Sequence, residues 1–496
     1  MNREPKMFIS TRGNAGAATA PEAVLRGLAS DGGLYTLRDV PHLDIAEMAE
    51  LDFCGMAKRI LGAYMQGYAQ ADIDRCVDAA YANKFDDAHI APLCAVGDQY
   101  VLELFHGPTA AFKDVALSLL PQLMSSAMRI TGFGREILIL TATSGDTGSA
   151  AMKGFQNVDG VRIIAFYPDR GISPIQRAQM TTMSGSNVCA CAVSDNFDAA
   201  QTGVKRIFSE IAPEFCAEQR ISLSSANSIN FGRLAPQIVY YYSAYLDLVR
   251  NKRIQMGDPV NFCVPTGNFG DILAGWYARS SGLPIDHLIC ASNANNVLTD
   301  FFQTGVYDKR REFHVTASPS MDILVSSNLE RLLFEMLDYD AQAVCSRMAD
   351  LKEKGFYTMP DAAMDKMRTC FAAYCVSDAR AFEAIRRTLT ETGYLMDPHT
   401  AVAWQAAQDY RAQTGDTRPC ITLSTASPYK FPVSVLTALG AAAPQNVREQ
   451  IAALERISAV RAPESIRGVL DGAVRFTDVI DPKDMMAYVM GKAANR

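Results

Sequence analysis

Residues 259–271 have the sequence PVNFCVPTGNFGD, and this stretch indicates the class of fold. Its first half is almost entirely apolar, as expected of a strand that is covered on both faces of its sheet. Its second half contains two glycines and an asparagine and is followed by a helical pattern. A buried strand, a glycine-rich turn and a helix in succession are typical of an α/β protein with a parallel sheet.

The same pattern recurs along most of the chain from about residue 98 onwards. Apolar runs are separated by helical segments; they are QYVLELF, REILILTA, VRIIAFYP, SNVCACAV, RISLSS, PVNFCVPT, HLICAS and PCITLST. Residues 1 to about 92 have short helical patterns and turns instead, with no obvious phosphate-binding loop. After about residue 441 the pattern is helical, and no strand signal there is strong enough to join the main sheet. We therefore predict an α/β fold.

Composition narrows the classes of function. The chain has 496 residues, 49% of them hydrophobic and 20% charged, and its net charge of −7 disfavours nucleic acid and anionic lipid as partners. No apolar run approaches the ~18 residues of a membrane span, and the start MNREPKMFISTRGN lacks a secretory apolar core. Twelve cysteines without a CxxC pair and six histidines without HExxH argue against a metal site. We expect a cytoplasmic protein.

Three loops at predicted strand ends contain residues suited to ligand binding. They are TATSGDTGS at 141–149, VPTGNFGD at 264–271 and LSTASPYKF at 423–431. Glycines let the backbone approach a phosphate closely, and a following helix directs its amides at the anion. Each loop could equally be an ordinary βα turn. The chain lacks the motifs of dinucleotide-binding, P-loop and α/β-hydrolase proteins.

A single lysine is the candidate nucleophile. Residues 103–114 are ELFHGPTAAFKD, and Lys113 stands between Phe112 and the apolar run VALSLLPQLM. An apolar setting disfavours the ammonium form, and a neutral lysine can form a Schiff base. The alternative is a solvated lysine paired with Asp114. One such lysine beside two phosphate-type loops suits pyridoxal 5'-phosphate, an aldehyde that carries a phosphate.

Together these segments resemble the threonine synthase family, within the tryptophan-synthase-β-like (type II) pyridoxal phosphate enzymes. The resemblance also includes GLASDGGLY, ISPIQ, SANSINFGRLAPQIVYY and DPHTAVA, and it spans nearly the whole chain. It implies two open, mostly parallel sheets flanked by helices. The implied domains are an N-terminal α-rich domain at 1–92, a cofactor-binding catalytic domain at 93–440 with a smaller subdomain at about 135–215, and a helical C-terminal extension at 441–496.

The resemblance also implies roles for individual residues. Lys113 would carry the cofactor and shuttle protons, and Thr425 would face the pyridine nitrogen. The cofactor phosphate loop would be Gly267, Asn268, Phe269, Gly270 and Asp271. The loop with Ser144, Asp146 and Thr147 would grip the substrate carboxylate beside the cofactor's phenolic oxygen. Ser144 and Thr147 would bind the substrate, and Asp146 would bind the cofactor by a contact to that oxygen, although shorter relatives often have Asn in its place. The substrate phosphate would be held by Asn227, Ser228 and Arg233.

These assignments have structural alternatives. Arg233 could instead cap a carboxylate, and Ser144 and Ser228 could simply bond to the backbone. His106 and His399 lie in matching motifs, but no chemistry demands an imidazole there, so we expect both to be structural.

The implied activity converts O-phospho-L-homoserine and water into L-threonine and phosphate, the last step of threonine biosynthesis, by β,γ-elimination and replacement. The substrate is a small molecule, and we expect neither nucleic acid nor a membrane as partner, and a monomer or weak homodimer. One alternative is a phospho-lyase that gives 2-oxobutyrate. The other is a non-catalytic phosphate-ligand binding protein, against which the retained Lys113 argues.

Overall fold

The computed structural model describes residues 7–494, which contain fifteen strands. The strands are β1 (Phe8–Ser10), β2 (Tyr35–Leu37), β3 (Leu93–Val96), β4 (Gln99–Glu103), β5 (Glu136–Ala142), β6 (Val161–Pro168), β7 (Val188–Val193), β8 (Ile221–Ser224), β9 (Val260–Pro265), β10 (Ile285–Ser292), β11 (Val306–Asp308), β12 (Phe356–Thr358), β13 (Phe371–Cys375), β14 (Cys420–Ser424) and β15 (Val479–Ile480).

Twenty α-helices lie in the same range, and none of them combines the length and apolarity needed to cross a bilayer. The helices are α1 (Ala20–Arg26), α2 (Phe53–Tyr64), α3 (Gln70–Tyr81), α4 (Lys113–Thr131), α5 (Asp146–Phe155), α6 (Pro174–Thr181), α7 (Phe197–Glu210), α8 (Pro213–Glu218), α9 (Phe231–Arg250), α10 (Gly270–Ser280), α11 (Val297–Thr304), α12 (Leu329–Met336), α13 (Ala341–Glu353), α14 (Asp361–Arg368), α15 (Asp378–Thr392), α16 (Pro398–Thr414), α17 (Pro432–Ala438), α18 (Val447–Ser458), α19 (Glu464–Arg467) and α20 (Met485–Ala494).

Two parallel sheets organise the fold. The larger has the order β13-β10-β9-β14-β4-β3, and only its edge strand β3 runs antiparallel. The smaller has the order β15-β7-β6-β5-β8 and is parallel throughout. All eight apolar runs in the sequence are strands of these sheets, which confirms the predicted fold class.

The smaller sheet draws on two distant parts of the chain. Four of its strands lie between residues 136 and 224, so they extend past the end expected at about 215. The fifth, β15, pairs with the edge of β7, with Val479 opposite Ala192. Helix α20 then packs so closely on α7 that a Cβ at Gly203 would lie 2.2 Å from the Met485 sulfur. The C-terminal region is therefore mainly helical but also completes this sheet.

Helices α4 and α5 pack directly against each other. Gly154 of α5 lies against the backbone of α4, where a Cβ would come within 1.8 Å of the Leu117 carbonyl oxygen. Only a residue without a side chain allows the two backbones to approach so closely. This contact fixes the first residues of the two helices, Lys113 and Asp146, relative to each other.

His106 joins the N-terminal region to the larger sheet, in keeping with the structural role expected for it. Its Nδ1 lies 2.6 Å from an Asp86 carboxylate oxygen and its Nε2 2.9 Å from a Glu103 oxygen, and its backbone carbonyl accepts from the Asp86 amide. Burial alone would lower the pKa of His106, but the hydrogen bonds to the two carboxylates outweigh it and raise the pKa to about 9.

We predict that His106→Gln lowers the thermal stability in a pH-dependent way. Because the pKa is raised in the folded state, the stabilisation is complete below the ordinary value of 6.5 and is lost as the pH rises through about 9. Since Asp86 is half exposed, the loss at pH 6 should be only ~1–2 kcal/mol.

The measurement is the difference in melting temperature between variant and parent from pH 6 to 10. The matched control, His89→Gln, removes a histidine that is 73% exposed and should change the melting temperature little. A His106→Gln difference that is constant over this range would contradict the interpretation.

Candidate active site

The three loops predicted at strand ends converge with Lys113 at the carboxyl ends of β5, β9 and β14. The Phe112 amide donates to the Thr425 carbonyl, which places the start of α4 beside the end of β14. Lys113 in turn reaches Asp146, the first residue of α5. The ligand position expected for open α/β sheets is thus the position at which these side chains meet.

Lys113 is buried, with 8% of its surface exposed. Its Nζ lies 3.3 Å from Asp146 Oδ2, whereas the Asp114 carboxylate accepts from the Thr109 amide and hydroxyl at 2.8 and 2.6 Å. The alternative of a solvated lysine paired with Asp114 is therefore wrong. Burial lowers the pKa of Lys113, and the nearby cations Lys430 and Arg233 act in the same direction, against the attraction of Asp146.

Asp146 is the centre of the polar network. Lys430 Nζ lies 2.7 Å from Oδ1, and Gln176 donates to the same oxygen at 2.9 Å. Lys113 and the Ser320 hydroxyl, at 3.2 Å, approach Oδ2. Burial alone would raise the pKa of Asp146, but Lys430 and Lys113 outweigh it and hold the pKa well below its usual range. The carboxylate is therefore ionised.

The loop after β9 forms a cup of backbone amides. Within residues 7–494, the amides of Gly267, Asn268, Phe269 and Gly270 donate to no protein acceptor. Phe269 has a left-handed φ of 63°, which turns the chain into α10. A Cβ at Gly267 would lie 2.6 Å from the Ser320 carbonyl oxygen. Unpaired amides at the start of a helix suit an anion such as a phosphate.

Asp271 contributes to this cup differently from its neighbours. Its carboxylate accepts from the hydroxyls of Tyr240 and Tyr241 on α9. Burial raises its pKa to about 6, although the tyrosine hydroxyls act in the opposite direction. The side chain therefore anchors the loop to α9, and the backbone is left to face the anion.

Hydrogen bonds within the loop after β5 fix its conformation. Thr143 Oγ1 accepts from the amides of Gly145 and Gly148 at 2.9 and 2.8 Å. Gly145 has a φ of 130°, and a Cβ there would lie 2.3 Å from Gln176. In the described part of the chain, the half-buried hydroxyls of Ser144 and Thr147 make no hydrogen bond, and both remain available at the start of α5.

Arg233 is a buried cation without a carboxylate partner among residues 7–494. Its Nη1 donates to the Ala226 carbonyl at 2.7 Å, and burial lowers its pKa to about 10. The alternative that it caps a carboxylate is therefore wrong. Ser228 accepts a side-chain hydrogen bond from Asn328 at 2.8 Å, while the Asn227 side chain makes none with described residues. A buried arginine with spare donors suits a phosphate.

Thr425 is the hydroxyl at the end of β14 that the surrounding protein leaves unused. Ser424 shares a hydrogen bond with Thr400 at 2.9 Å, and Ser427 accepts from the Tyr429 amide. The buried Thr425 side chain has no such partner in the range that the structure covers. It is thus the hydroxyl of this loop that is free to meet a ligand.

Sequence reasoning missed several side chains that complete the site. They are Lys430, Gln176, Ser320 and Asn328. Lys430 and Gln176 stand in segments already noted, STASPYKF and ISPIQ, so their place in those segments was an available signal. Ser320 and Asn328 lie in the long connection after β11, where no pattern indicated a site. His399 bonds to Asp397 and accepts from the Ser320 amide, so it positions that connection, consistent with a structural role.

The residues present fit pyridoxal 5'-phosphate. A buried amine with a lowered pKa can bond to an aldehyde, and the amide cup can bind a phosphate. Thr425 offers a neutral hydroxyl, and Arg233 and the free hydroxyls of α5 can bind a second anionic molecule.

Comparison with known proteins agrees with this fit. Three family models match the chain: "Threonine synthase N terminus" at residues 7–81, "Pyridoxal-phosphate dependent enzyme" at 96–425 and "Threonine synthase, C-terminal" at 400–484. Threonine synthase of Pseudomonas aeruginosa is 41% identical over 436 residues, which cover 86% of this chain and 89% of that protein. The crystal structure of threonine synthase from Brucella melitensis with bound PLP is 37% identical, with a TM-score of 0.87, and the match covers 98% of this chain and 99% of that one.

Human threonine synthase-like 1 is a longer relative. It is 40% identical over 467 residues, and the match covers 88% of this chain but only 61% of the human protein. The family models and the similarity to P. aeruginosa threonine synthase span the N-terminal region, both sheets and the C-terminal region. The chain therefore belongs to the threonine synthase family of pyridoxal-phosphate dependent enzymes.

Proposed function

We propose that the protein is a threonine synthase, which converts O-phospho-L-homoserine and water into L-threonine and phosphate with pyridoxal 5'-phosphate. The observation that carries the proposal is the buried Lys113 amine, whose Nζ lies 3.3 Å from Asp146. The same site contains an amide cup and Arg233, which has no carboxylate partner among residues 7–494. A protein that only bound a phosphate ligand would not need an amine with a lowered pKa in that position.

Two anion sites divide the phosphates between cofactor and substrate. In this proposal the amides of residues 267–270 hold the cofactor phosphate, with Asp271 anchoring their loop to α9. Arg233, Asn227 and Ser228 hold the substrate phosphate. A Cβ at Gly270 would lie 3.0 Å from the Ser228 Cβ, so the two anion sites are neighbours. The cation Arg233, which belongs to the substrate site, distinguishes it from the cofactor site.

The substrate carboxylate has its own site at the start of α5. Ser144 and Thr147 offer unengaged hydroxyls there, and the helix directs its first amides at an anion. Asp146, already ionised and bonded to four side chains, lies close to the amine that does the chemistry. It is therefore suited to orienting Lys113 rather than to binding an anionic group itself.

Lys113 is the proton carrier in the proposed reaction. When bound, pyridoxal 5'-phosphate supplies an electron sink for the substrate carbon skeleton. The Lys113 amine takes the proton from Cα and returns protons later, and the lowering of its pKa by burial favours the neutral form that can accept a proton. The neutral Thr425 hydroxyl would lie against the ring nitrogen of the cofactor and, having no charge, would not hold a proton there. Burial of the site delays the entry of water, which must add only after phosphate has left.

We further propose a cytoplasmic enzyme, active as a monomer or weak homodimer on this small molecule without nucleic acid or a membrane. The net charge of −7 supports the absence of nucleic acid. All twelve cysteines are free, which supports a reducing compartment.

The first test concerns Lys113. Borohydride reduction of the holoenzyme followed by peptide mapping should place the pyridoxyl group on Lys113. Lys430 is the informative competitor because it is even more deeply buried and contacts the same carboxylate, but Asp146 and the Thr109 carbonyl occupy its side-chain nitrogen. Lys113→Ala should lose the visible absorbance band and turnover. A label on Lys430 would refute the assignment.

The accompanying product analysis tests the reaction itself. With O-phospho-L-homoserine, the protein should release L-threonine as the main product and 2-oxobutyrate as a minor one, and the phosphate released should equal the sum of the two. If 2-oxobutyrate is the main product, the protein is the phospho-lyase and not the synthase.

Arg233→Ala should weaken substrate binding and leave cofactor content unchanged. The reason is that Arg233 is a buried cation that meets no carboxylate in the described part of the chain, so it is available to the substrate phosphate. Loss of a buried charge pair costs ~2–5 kcal/mol, so the KM should rise at least tenfold. Arg233→Lys is the matched control and should retain part of the affinity. Loss of the cofactor with undiminished substrate affinity would contradict the assignment.

Thr425→Asp should change the electronics of the bound cofactor without changing the fold. A carboxylate would keep the ring nitrogen protonated by charge pairing. We expect a shifted absorbance spectrum, slower threonine formation and a larger share of side product, whereas the control Thr425→Ser should resemble the parent. If the Asp variant retains the cofactor and shows the parent's spectrum, rate and products, Thr425 does not face the ring.

A further inference from the structure

The site contains a second lysine that the proposed reaction does not use. Lys430 ends a short 3-10 turn after β14, and none of its surface is exposed to solvent. Its Nζ lies 2.7 Å from Asp146 Oδ1 and donates to the Thr109 carbonyl at 2.9 Å. A lysine is seldom buried completely unless its charge is paired, so its role must be sought in this pair.

Two lysines share the two oxygens of one carboxylate. Lys430 approaches Oδ1, and Lys113 approaches Oδ2. The shorter contact belongs to Lys430, which therefore is the closer counter-ion of Asp146. Lys113 has the longer contact, and its nitrogen is the one that must change its bonding when the cofactor is attached.

Counting charges assigns different roles to the two lysines. With both ammonium groups present, Asp146 neutralises only one of them, and Arg233 adds a further buried positive charge. An unpaired buried cation is costly, so one lysine is driven towards its neutral form. Lys430 has the closer contact to Asp146 and also a carbonyl acceptor, whereas Lys113 has only the longer contact, so we assign the neutral form to Lys113.

We propose that Lys430 is a positioning residue, which holds the Asp146 carboxylate in place and ionised and so controls how readily the Lys113 nitrogen takes up a proton. This inference rests on the proposed function, because it concerns the nitrogen that would carry the cofactor. Lys430 acts through Asp146, and no contact between it and the reacting atoms is required.

The other charged groups near Lys113 are one cation and two carboxylates that bond elsewhere. Arg233 faces it from α9 and lowers its pKa, as Lys430 does. Asp271 on α10 is engaged by Tyr240 and Tyr241, and Asp114 on α4 is engaged by Thr109. Among the residues described, Asp146 is the carboxylate in contact with Lys113, and Lys430 is the cation in contact with that carboxylate.

The experiment is a pH titration of the visible absorbance of the holoenzyme, which reports protonation of the lysine–cofactor nitrogen. Lys430→Met leaves Asp146 with only one cation, so its negative charge acts fully on Lys113. The titration midpoint should rise by about one pH unit or more, since a unit charge acts over several ångströms in a buried site. Lys430→Arg keeps the charge and should titrate close to the parent.

Asp146→Asn tests the same coupling in the opposite direction. Lys430 then faces Lys113 without an intervening carboxylate, so the midpoint should fall below that of the parent. The double variant Asp146→Asn/Lys430→Met removes both charges, and its midpoint should lie above that of Asp146→Asn alone. Lys366→Met, which removes a half-exposed lysine paired with Asp338, is the control and should leave the midpoint unchanged.

The outcomes separate this inference from the proposed function. A parent without an absorbance band that maps to Lys113 refutes the function, whatever Lys430 does. If the parent has the band, the role of Lys430 is refuted when Lys430→Met has the same titration midpoint as the parent. It is refuted equally when the double variant has the same midpoint as Asp146→Asn alone. If Lys430→Met does not fold because Asp146 loses its closer counter-ion, the double variant removes that unpaired carboxylate and serves in its place. A double-variant midpoint above that of Asp146→Asn supports the role of Lys430, and a midpoint that rises in Asp146→Asn itself overturns the inference.

Discussion

The buried carboxylate of Asp146 is the interaction on which the site depends. Asp146 is the first residue of α5, which follows strand β5 of the smaller sheet. Both lysines that approach it belong to segments next to the larger sheet. A carboxylate in this environment stays ionised only while cations surround it, and the cations are tolerable only while it is charged. The two halves of the catalytic region are therefore joined by an electrostatic contact inside the pocket itself.

Close backbone packing makes this contact possible. Gly154 lets α5 lie directly on the backbone of α4, and Gly145 leaves room for Gln176 beside the carboxylate. Larger residues at these positions would separate the elements that carry Lys113 and Asp146. The position of the polar network thus depends on these glycines as much as on the charged residues.

The parts of the fold that follow from local patterns could be predicted from the sequence. Eight apolar runs identified eight strands, because strands buried on both faces are apolar almost throughout. Lys113 was identifiable because its neighbours are apolar and its motif is distinctive. Strand β15 was not, because it has only two residues and its Val479 is largely exposed, so it has no pattern of its own.

The remaining parts of the site depend on contacts distant in sequence. A lysine beside Phe431 gives no local sign that it is buried; its burial arises from Asp146 and Thr109, which are hundreds of residues earlier. Ser320 likewise approaches Asp146 only because the connection after β11 folds back over the Gly267 loop. Partners of this kind are set by the topology of the chain, which periodicity and motif spacing do not determine.

The late position of β15 in the chain has a consequence for biosynthesis. The outer edge of β7 finds its partner only in residues 478–480, where the amides of Ala192 and Ser194 donate to the carbonyls of Asp478 and Ile480. While the ribosome is still making the intervening residues, that edge stays open and can pair with another nascent chain. The final segment therefore acts as an edge protector, and a ribosome that stalls before it would release a chain with an aggregation-prone strand.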